Sequence, residues 1–269
     1  MFERKVDITR ILKDQKYEDI DTVLIESSVD IIIDSNPIAS IICLPIELKE
    51  LAIGFLFSVG IINSYDEIKQ IDIDELEGTI NLSLKDQLEI NSEIFKLNSV
   101  SRVIDTTCGI PSPWRKLIKE KILDAKGSDI AENNIELKKE IIFDSIIKMQ
   151  KETRLFRKTG GCHGAAIFDL DGKILGVKED IGRHNAIDKV IGGLLMKDIN
   201  FEHTFLTTTG RLTGDSVLKA IRAKIPLVAS LSAAIESGIN FAFVYGQTLI
   251  GFVRGSKMNI YTRPDRVIM

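Results

Sequence analysis

The chain has 269 residues, of which 44% are hydrophobic, 28% are charged and 6% are aromatic, and its formal net charge is −4. This composition is normal for a soluble protein with an aliphatic core, and the length suits one large domain or two of ordinary size. The mild acidity gives no reason to expect nucleic acid or an anionic membrane as a partner, although a local basic patch would still bind phosphates.

Neither secretion nor membrane insertion is predicted. Residues 1–14 mix acidic and basic side chains and lack the continuous apolar stretch of a signal peptide. The most apolar helical stretch, residues 51–62, is too short to span a bilayer and contains two glycines. We therefore expect a soluble, cytoplasmic protein.

The three cysteines are Cys43, Cys108 and Cys162. An odd and sparse number of cysteines argues against a disulfide framework. No two of them form the C-x-x-C pair that structural zinc sites use, so we expect no bound zinc. The remaining question is whether one of the three is a reactive thiol.

The first half begins with predicted β-structure. Residues 29–33 and 38–44 are β-branched runs separated by Asp-Ser-Asn-Pro, which favours a turn. A helix is predicted after Pro45, with apolar residues at helical spacing and Gly60 placed to end it. Residues 79–84 alternate in hydrophobicity and predict a half-exposed strand.

Residues 105–113 contain two prolines and a glycine, which predicts a loop. A cysteine on such a loop is accessible to solvent and to partners, so Cys108 is a candidate reactive thiol. The alternative is an incidental loop thiol with no function. Polar residues from 126 to 134 then predict a boundary between a first domain, 1–130, and a second, 131–269.

In the second half, strands and helices alternate. Helices are predicted at about 137–152, 185–196 and 216–223, and strands at 165–168, 174–177, 205–208, 226–231, 248–253 and 258–261. This alternation predicts a layered α/β sheet with helices on both faces.

Tandem glycines precede the first of these strands, in Thr-Gly-Gly-Cys-His-Gly (159–164). Glycines at such a position allow another backbone or a ligand to come close. Cys162 is predicted to be a buried small hydrophobic residue, because free cysteines are often buried. For His163 we expect a structural hydrogen bond.

A Gly-Arg-His-Asn sequence lies where the predicted helix 185–196 should begin. Helix N-termini with a nearby arginine attract phosphate, which makes Arg183 and His184 candidate anion ligands. In the alternative interpretation Asn185 only caps the helix, and Arg183 pairs with an acidic neighbour, Glu179 or Asp180.

A second basic segment, residues 251–259, connects the last two predicted strands. Arg254 and Lys257 supply positive charge for phosphate, and Gly255 allows the backbone to turn. A hairpin turn with two solvated cations would look similar. Residues 209–211, Thr-Gly-Arg, follow a strand and are expected at the same carboxyl edge of the sheet.

Five segments form an ordered set of motifs, namely Leu-Ala-Ile-Gly-Phe-Leu-Phe-Ser-Val-Gly-Ile-Ile (51–62), Thr-Gly-Gly-Cys-His-Gly-Ala-Ala (159–166), Glu-Asp-Ile-Gly-Arg-His-Asn-Ala-Ile-Asp-Lys (179–189), Thr-Gly-Arg (209–211) and Gly-Phe-Val-Arg-Gly (251–255). The set resembles the FdhD family over nearly the whole chain, and Gly-Arg-His-Asn-Ala is its most specific part.

The resemblance implies a fold and a function. The carboxy-terminal half would have a layered α/β/α, cytidine-deaminase-like fold beside a smaller mixed amino-terminal domain, in a homodimer. The protein would be a sulfurtransferase required for formate dehydrogenase activity. It would take sulfane sulfur from a cysteine desulfurase and pass it to the molybdenum cofactor in its bis-guanine-dinucleotide form. That cofactor would be a bound substrate, and no tightly bound metal is expected.

The resemblance also implies site residues. The family carries its persulfide in a Cys-Gly-x-Cys-Gly loop, whose first position falls on Cys108. The nucleotide end of the cofactor is expected on six residues: Phe252, Val253, Arg254, Gly255, Ser256 and Lys257. The extension of this site to Arg183 and His184 is our hypothesis.

This chain departs from the family loop, because Pro111 stands at the position of the second cysteine. A second thiol would release the outer sulfur of a persulfide as a disulfide forms. Without it, Cys108 would need an external reductant or direct transfer. Residues 209–214 and 232–237 also diverge, which indicates a distant branch with altered specificity.

Two other functions are considered. A non-catalytic chaperone could hold the cofactor for a formate dehydrogenase without moving sulfur, and the missing second cysteine favours it. A zinc deaminase is suggested only by the implied fold. It is disfavoured because the chain lacks His-x-Glu together with Pro-Cys-x-x-Cys.

Overall fold

The computed structural model describes residues 2–85, 103–104, 116, 119–120 and 128–269. The predicted loop 105–113, with Cys108 and Pro111, lies outside the described residues. The described chain has the predicted mixed α/β fold, built on a five-stranded sheet in the first half and a six-stranded sheet in the second.

A β-hairpin precedes both sheets. Strand β1 (Glu3–Leu12) pairs antiparallel with β2 (Gln15–Leu24), and Lys13 in the turn has a φ of 54°. Most of its side chains are exposed, so it lacks the apolar alternation that identifies a half-buried strand. The sequence therefore did not reveal this hairpin.

The five-stranded sheet has the order β5-β6-β3-β4-β7. Its elements are β3 (Ser27–Ile33), β4 (Asn36–Cys43), α1 (Leu48–Ser58), a 3-10 turn (Tyr65–Glu67), β5 (Ile68–Asp74), β6 (Thr79–Leu84) and β7 (Val103–Ile104). Both predicted strands, the helix after Pro45 and the strand 79–84 are confirmed. Gly60 has a φ of 78° just beyond α1, the left-handed conformation that favours glycine at a helix end.

The six-stranded sheet has the order β10-β9-β11-β12-β13-β14. Its strands are β9 (His163–Asp169), β10 (Ile174–Asp180), β11 (Thr204–Thr208), β12 (Leu227–Ser230), β13 (Thr248–Arg254) and β14 (Lys257–Thr262). Strands β11, β12 and β13 run parallel, while β9, β10 and β14 join them antiparallel. All six strands were predicted.

The helices of the second half are α2 (Ser128–Glu132), α3 (Lys139–Glu152), α4 (Arg154–Thr159), α5 (Arg183–Leu195), α6 (Gly214–Arg222) and α7 (Glu236–Val244), with 3-10 turns at Phe201–His203 and Pro264–Arg266. Strand β8 (Leu137–Lys138) pairs with β15 (Val267–Ile268), so α3 begins two residues later than predicted. Helices α2, α4 and α7 were not predicted.

Two apolar clusters cover the two faces of the six-stranded sheet. On one face, α3 packs through Ile142, Ile146 and Met149 against Phe168 and Phe205. On the other face, α5 and α6 pack in a cluster that continues through α1 into the five-stranded sheet. The predicted layered sheet with helices on both faces is therefore confirmed. The domain boundary near residue 130 stays a prediction.

Helices α1 and α5 meet backbone to backbone. A Cβ atom at Gly54 would lie 1.8 Å from the backbone oxygen of Asp188, and a Cβ atom at Gly192 would lie 2.1 Å from that of Glu50. No side chain fits at such distances, so the two glycines permit this approach. This contact joins the two halves of the chain.

Two buried ion pairs reinforce the same junction. Lys189 Nζ lies 2.7 Å from Asp180 Oδ2, and both side chains are fully buried. Lys189 also donates to the backbone oxygen of Leu44 at 3.1 Å, while the Leu44 N–H donates to Asp180. The second pair joins Lys219 to Asp188. Much of the 179–189 motif is therefore structural.

In the part of the chain that the structure describes, no helix is long and apolar enough to cross a membrane.

Replacing Lys189 by Ala should lower the free energy of unfolding by about 3 kcal/mol, because Asp180 would keep a buried charge without its counter-ion. Lys158→Ala is the matched control, since Lys158 pairs with Glu3 at the surface and such pairs contribute about 0–1 kcal/mol. Urea unfolding of both variants checks the prediction. Equal decreases in the free energy of unfolding of the two variants would show that the buried pair contributes no more to stability than the surface pair.

Candidate functional site

The predicted motifs meet at one edge of the six-stranded sheet. Parallel strands β11, β12 and β13 all end there, at Thr208, Ser230 and Arg254. Strand β9 runs the other way and begins there at His163, and β10 ends beside it at Asp180. This edge is where open α/β sheets bind ligands, as was predicted for residues 209–211.

A pocket of about 420 Å³ opens at this edge on the face covered by α3. Its described lining residues are Phe143, Ile146, Ile147, Gln150, Phe156, Thr209, Leu231, Ser232, Val253, Arg254 and Gly255. The pocket brings together two residues that are distant in sequence: Thr209, which follows β11, and Arg254, at the end of β13. Its volume suits a small ligand.

Arg254 lies at the end of β13 and is exposed. Its Nε donates to the backbone oxygen of Leu231 at 3.1 Å, and its guanidinium lies 5.9 Å from the centre of the Phe252 ring. These contacts orient the guanidinium and its two terminal nitrogens. Such a fork suits a phosphate group.

The other residues of the 252–257 segment form the turn after β13. Phe252 has a φ of 53° and Gly255 a φ of 58°, and Gly255 frees the backbone to turn as predicted. Val253 is buried and lines the pocket, whereas Ser256 and Lys257 are exposed. The segment therefore presents two exposed cations, Arg254 and Lys257, of which Arg254 lines the pocket.

A second group of cations lies at the same edge beside α5 and α6. Arg183 begins α5, and Gly210 makes room for it, since a Cβ atom at Gly210 would lie 2.7 Å from Arg183 Cβ. Within the described residues, Arg183 pairs with neither Glu179 nor Asp180, and its Nε has no hydrogen-bond partner. Burial and the nearby Arg211 lower the pKa of Arg183.

Asn185 does not cap α5. Its Nδ2 donates to Asp180 Oδ1 at 2.9 Å and to the backbone oxygen of Ile42 at 2.9 Å, so it belongs to the buried junction. The alternative interpretation of this motif is therefore wrong in both parts, capping and pairing.

His184 is buried, and its Nδ1 lies 3.3 Å from Ser216 Oγ. Burial, together with the charges of Lys219 and Arg183, lowers the pKa of His184 to about 3. The imidazole is therefore neutral near pH 7, which makes it a weaker phosphate ligand than Arg183. Its role as a cofactor ligand stays a prediction.

His163 Nδ1 lies 3.2 Å from Thr209 Oγ1, and Thr209 Oγ1 also accepts from the Gly164 N–H at 3.1 Å. The predicted structural hydrogen bond of His163 is confirmed. Burial and the charges of Arg183 and Arg211 lower the pKa of His163. Thr209 thus lines the pocket and also contacts His163 at the same edge of the sheet.

Both described cysteines are buried. Cys43 is fully buried and Cys162 is 3% exposed, so the prediction for Cys162 is confirmed. Burial raises the pKa of Cys43 to about 12. Burial, followed by the Glu179 carboxylate 3.7 Å away, raises the pKa of Cys162 to about 12. Both are therefore almost entirely protonated thiols near neutral pH.

The wall that α3 contributes to the pocket was missed from the sequence. Phe143, Ile146, Ile147 and Gln150 lie on one helix face at spacings of three and four residues. In the sequence, the apolar residues among them cannot be distinguished from core residues of the helix. Among the described residues, no three His, Cys, Asp or Glu side chains are grouped as a metal site would need.

Comparison with known proteins identifies relatives of the whole chain. The model of the FdhD/NarQ family matches residues 24–268. A protein of Saccharolobus solfataricus named "Sulfur carrier protein FdhD" is 32% identical over 268 residues, which cover 98% of each chain. A protein of Bacillus pumilus with the same name is 34% identical over 92% of this chain and 90% of its own.

A solved structure has the same fold. The crystal structure of a candidate formate dehydrogenase accessory protein from Desulfotalea psychrophila matches with a TM-score of 0.76 and 25% identity, and the match covers 100% of both chains.

His184→Gln should flatten the pH dependence of stability. The unfolded chain takes up a proton near the ordinary histidine pKa of 6.5, whereas folded His184 does so only near 3. The stability that neutral His184 contributes is therefore complete above pH 6.5 and is lost as the pH falls toward 3. Within that window the slope of the unfolding free energy should decrease by up to about 1.4 kcal/mol per pH unit.

His203→Gln is the matched control, because His203 is exposed. Urea unfolding at a series of pH values measures each slope. A slope in His184→Gln identical to that of the unsubstituted protein would contradict the buried neutral histidine.

Proposed function

The chain belongs to the FdhD/NarQ family, and we propose that it is a sulfur carrier that serves a formate dehydrogenase. Relatives that match nearly all of the chain are named as sulfur carriers. We assign it a sulfurtransferase activity, with a cysteine desulfurase as donor. We further propose that it works in the cytoplasm as a homodimer.

The inertness of two of the three thiols supports Cys108 as the carrier. A thiol must ionise and be accessible to exchange sulfur. Cys43 and Cys162 are buried, and the pKa of each is raised to about 12. This observation carries the assignment, since it leaves the cysteine of the Gly/Pro-rich loop as the candidate nucleophile.

In the first step, the Cys108 thiolate attacks the outer sulfur of a persulfide on the desulfurase. The bond between the two donor sulfurs breaks, the desulfurase cysteine leaves as a thiolate, and Cys108 becomes the persulfide. One sulfur atom is transferred and no net oxidation occurs. The loop that the sequence predicts around Cys108 would provide the access that this exchange requires.

The acceptor is the molybdenum cofactor in its bis-guanine-dinucleotide form, bound as a substrate at the carboxyl edge of the six-stranded sheet. Two features support this proposal: the exposed guanidinium of Arg254 and the pocket beside it. Lys257 would add a second contact to the phosphates, and Arg183 a third from the other face of the sheet. His184 would then be an uncharged side chain next to Arg183.

Delivery of the sulfur as sulfide requires two electrons. Because Pro111 takes the place of a second loop cysteine, an external thiol would supply them, or the persulfide would pass its sulfur directly. Because Pro111 replaces the second cysteine, we also consider a second function, that of a chaperone that binds the cofactor without transferring sulfur.

Cys108→Ala should abolish persulfide formation. Incubation with a cysteine desulfurase and cysteine, followed by intact-mass analysis, should show a reductant-sensitive gain of one sulfur atom in the unsubstituted protein and none in the variant. Cys162→Ala is the control and should gain sulfur normally, since that thiol is buried.

Activation of a formate dehydrogenase separates the two functions. If Cys108→Ala still activates the enzyme, the chaperone function is correct and the sulfur-carrier function is not.

Arg254→Ala should weaken binding of guanosine diphosphate at least about tenfold, because a charge-assisted hydrogen bond contributes about 1.5–3 kcal/mol. Lys197→Ala is the control, since Lys197 is exposed beyond the opposite end of α5. Calorimetric titration measures both affinities. Equal affinity of the two variants would contradict the assignment of Arg254 to the phosphates.

A further inference from the structure

Helix α7 leaves two large apolar side chains in solvent at its carboxy-terminal end. Phe243 is 77% exposed and Val244 is 72% exposed, and the two are adjacent in sequence. Isolated apolar residues are common on protein surfaces, but an exposed aromatic residue beside a second apolar side chain is typical of a contact surface for another protein. We call Phe243 and Val244 the α7 patch.

The opposite side of α7 is held firmly against the rest of the protein. A Cβ atom at Gly238 would lie 2.4 Å from the backbone oxygen of Leu212, and Ala242 is fully buried in the apolar cluster. At the start of the helix, Ser237 Oγ accepts a hydrogen bond from the Gly214 N–H at 3.0 Å. The backbone that bears the α7 patch is therefore fixed before a partner binds, which lowers the entropy cost of binding.

The α7 patch lies away from the candidate ligand site. Strand β12 ends at the ligand edge with Ser230, and β13 begins at the opposite edge, because it runs parallel to β12. Helix α7 connects these two strands, so its last residues lie toward that opposite edge. A protein bound to the α7 patch would therefore leave the ligand edge free.

Residues that follow Cys108 in the chain contact the same helix. Lys119 Nζ lies 5.0 Å from the centre of the Phe241 ring of α7. Further along the chain, Ala131 of α2 lies next to Gly246, just beyond the end of α7.

These contacts limit how far Cys108 can lie from α7. Cys108 precedes Lys119 by 11 residues, and an extended chain of that length spans at most about 40 Å. An enzyme of several hundred residues has a diameter of about 50 Å, which is larger than that span. One partner protein can therefore contact the α7 patch and reach Cys108 at the same time.

We propose that the α7 patch is the docking surface for the protein that donates sulfur to Cys108. The Phe243 ring inserts into an apolar cleft of the donor, and Val244 packs at the rim of that cleft. The inference rests on the proposed function, in which a cysteine desulfurase is the donor. Docking aligns the two reacting sulfur atoms, and the α7 patch takes no part in the exchange itself.

The test compares a protein donor with a small donor, sodium polysulfide, which needs no docking. Phe243→Ser should slow persulfide formation by the cysteine desulfurase at least about tenfold at subsaturating donor, as expected for the loss of an aromatic anchor, and leave loading by polysulfide unchanged. Val244→Ser should act in the same direction. Leu76→Ser is the matched control, because Leu76 is 97% exposed between β5 and β6 of the other sheet. Intact-mass analysis of quenched samples measures the rates.

The outcomes separate the docking surface from the function on which it rests. Slower loading of both patch variants by the desulfurase alone supports the docking surface. Rates equal to that of the unsubstituted protein, or equal slowing with both donors, would overturn the docking surface and leave the sulfur-carrier function standing. If the desulfurase does not load Cys108 in the unsubstituted protein, the docking surface and the proposed donor are both overturned.

Sedimentation of the same variants examines a different occupant of the α7 patch, a second copy of this chain. The proposal expects Phe243→Ser and Val244→Ser to have the oligomeric state of the unsubstituted protein. Conversion of a dimer into a monomer by these substitutions would assign the α7 patch to the second copy and overturn the docking surface for the donor.

Discussion

Helices α1 and α5 are packed so closely that glycine is required on both sides, Gly54 in one helix and Gly192 in the other. The rest of the structure depends on this contact, because it joins the two sheets through one continuous apolar cluster. The close packing of the two helix backbones also excludes water from the polar groups near this contact. The buried acids there must then be paired, which explains the ion pairs of Asp180 with Lys189 and of Asp188 with Lys219.

The same junction determines what the edge of the six-stranded sheet presents. Residues 180–189, from the end of β10 into α5, have two roles. The buried acids, amide and lysine hold α5, and Arg183 in its first turn lies at the ligand edge. Only some residues of this polar motif therefore lie at the candidate ligand site, and the others stabilise the fold. Because α5 is fixed along its length, the position of Arg183 next to Gly210 is fixed too, without an ion pair of its own in the described chain.

Sequence patterns predicted elements wherever one face is buried and the other is not. Strand β6 and helix α3 follow such patterns and were found, whereas the exposed hairpin β1–β2 has no buried face and was missed. The sequence predicted Arg183 and Arg254 as candidate site residues because each lies next to a glycine in a short motif. The wall of α3 was not, since Phe143 and Ile147 are indistinguishable in sequence from core residues. Only the tertiary arrangement shows that they face a pocket.

The environments of the thiols bear on how a sulfur carrier avoids side reactions. A persulfide passes its sulfur to any accessible thiolate, so a second reactive cysteine in the same chain would compete with the acceptor. Cys43 lies in the apolar cluster, and Cys162 lies beside the Glu179 carboxylate, which further disfavours its thiolate. That carboxylate also holds the first turn of α4. One acidic side chain thus adds to the effect of burial in disfavouring the Cys162 thiolate, and it also positions the first turn of α4, whose Phe156 lines the pocket.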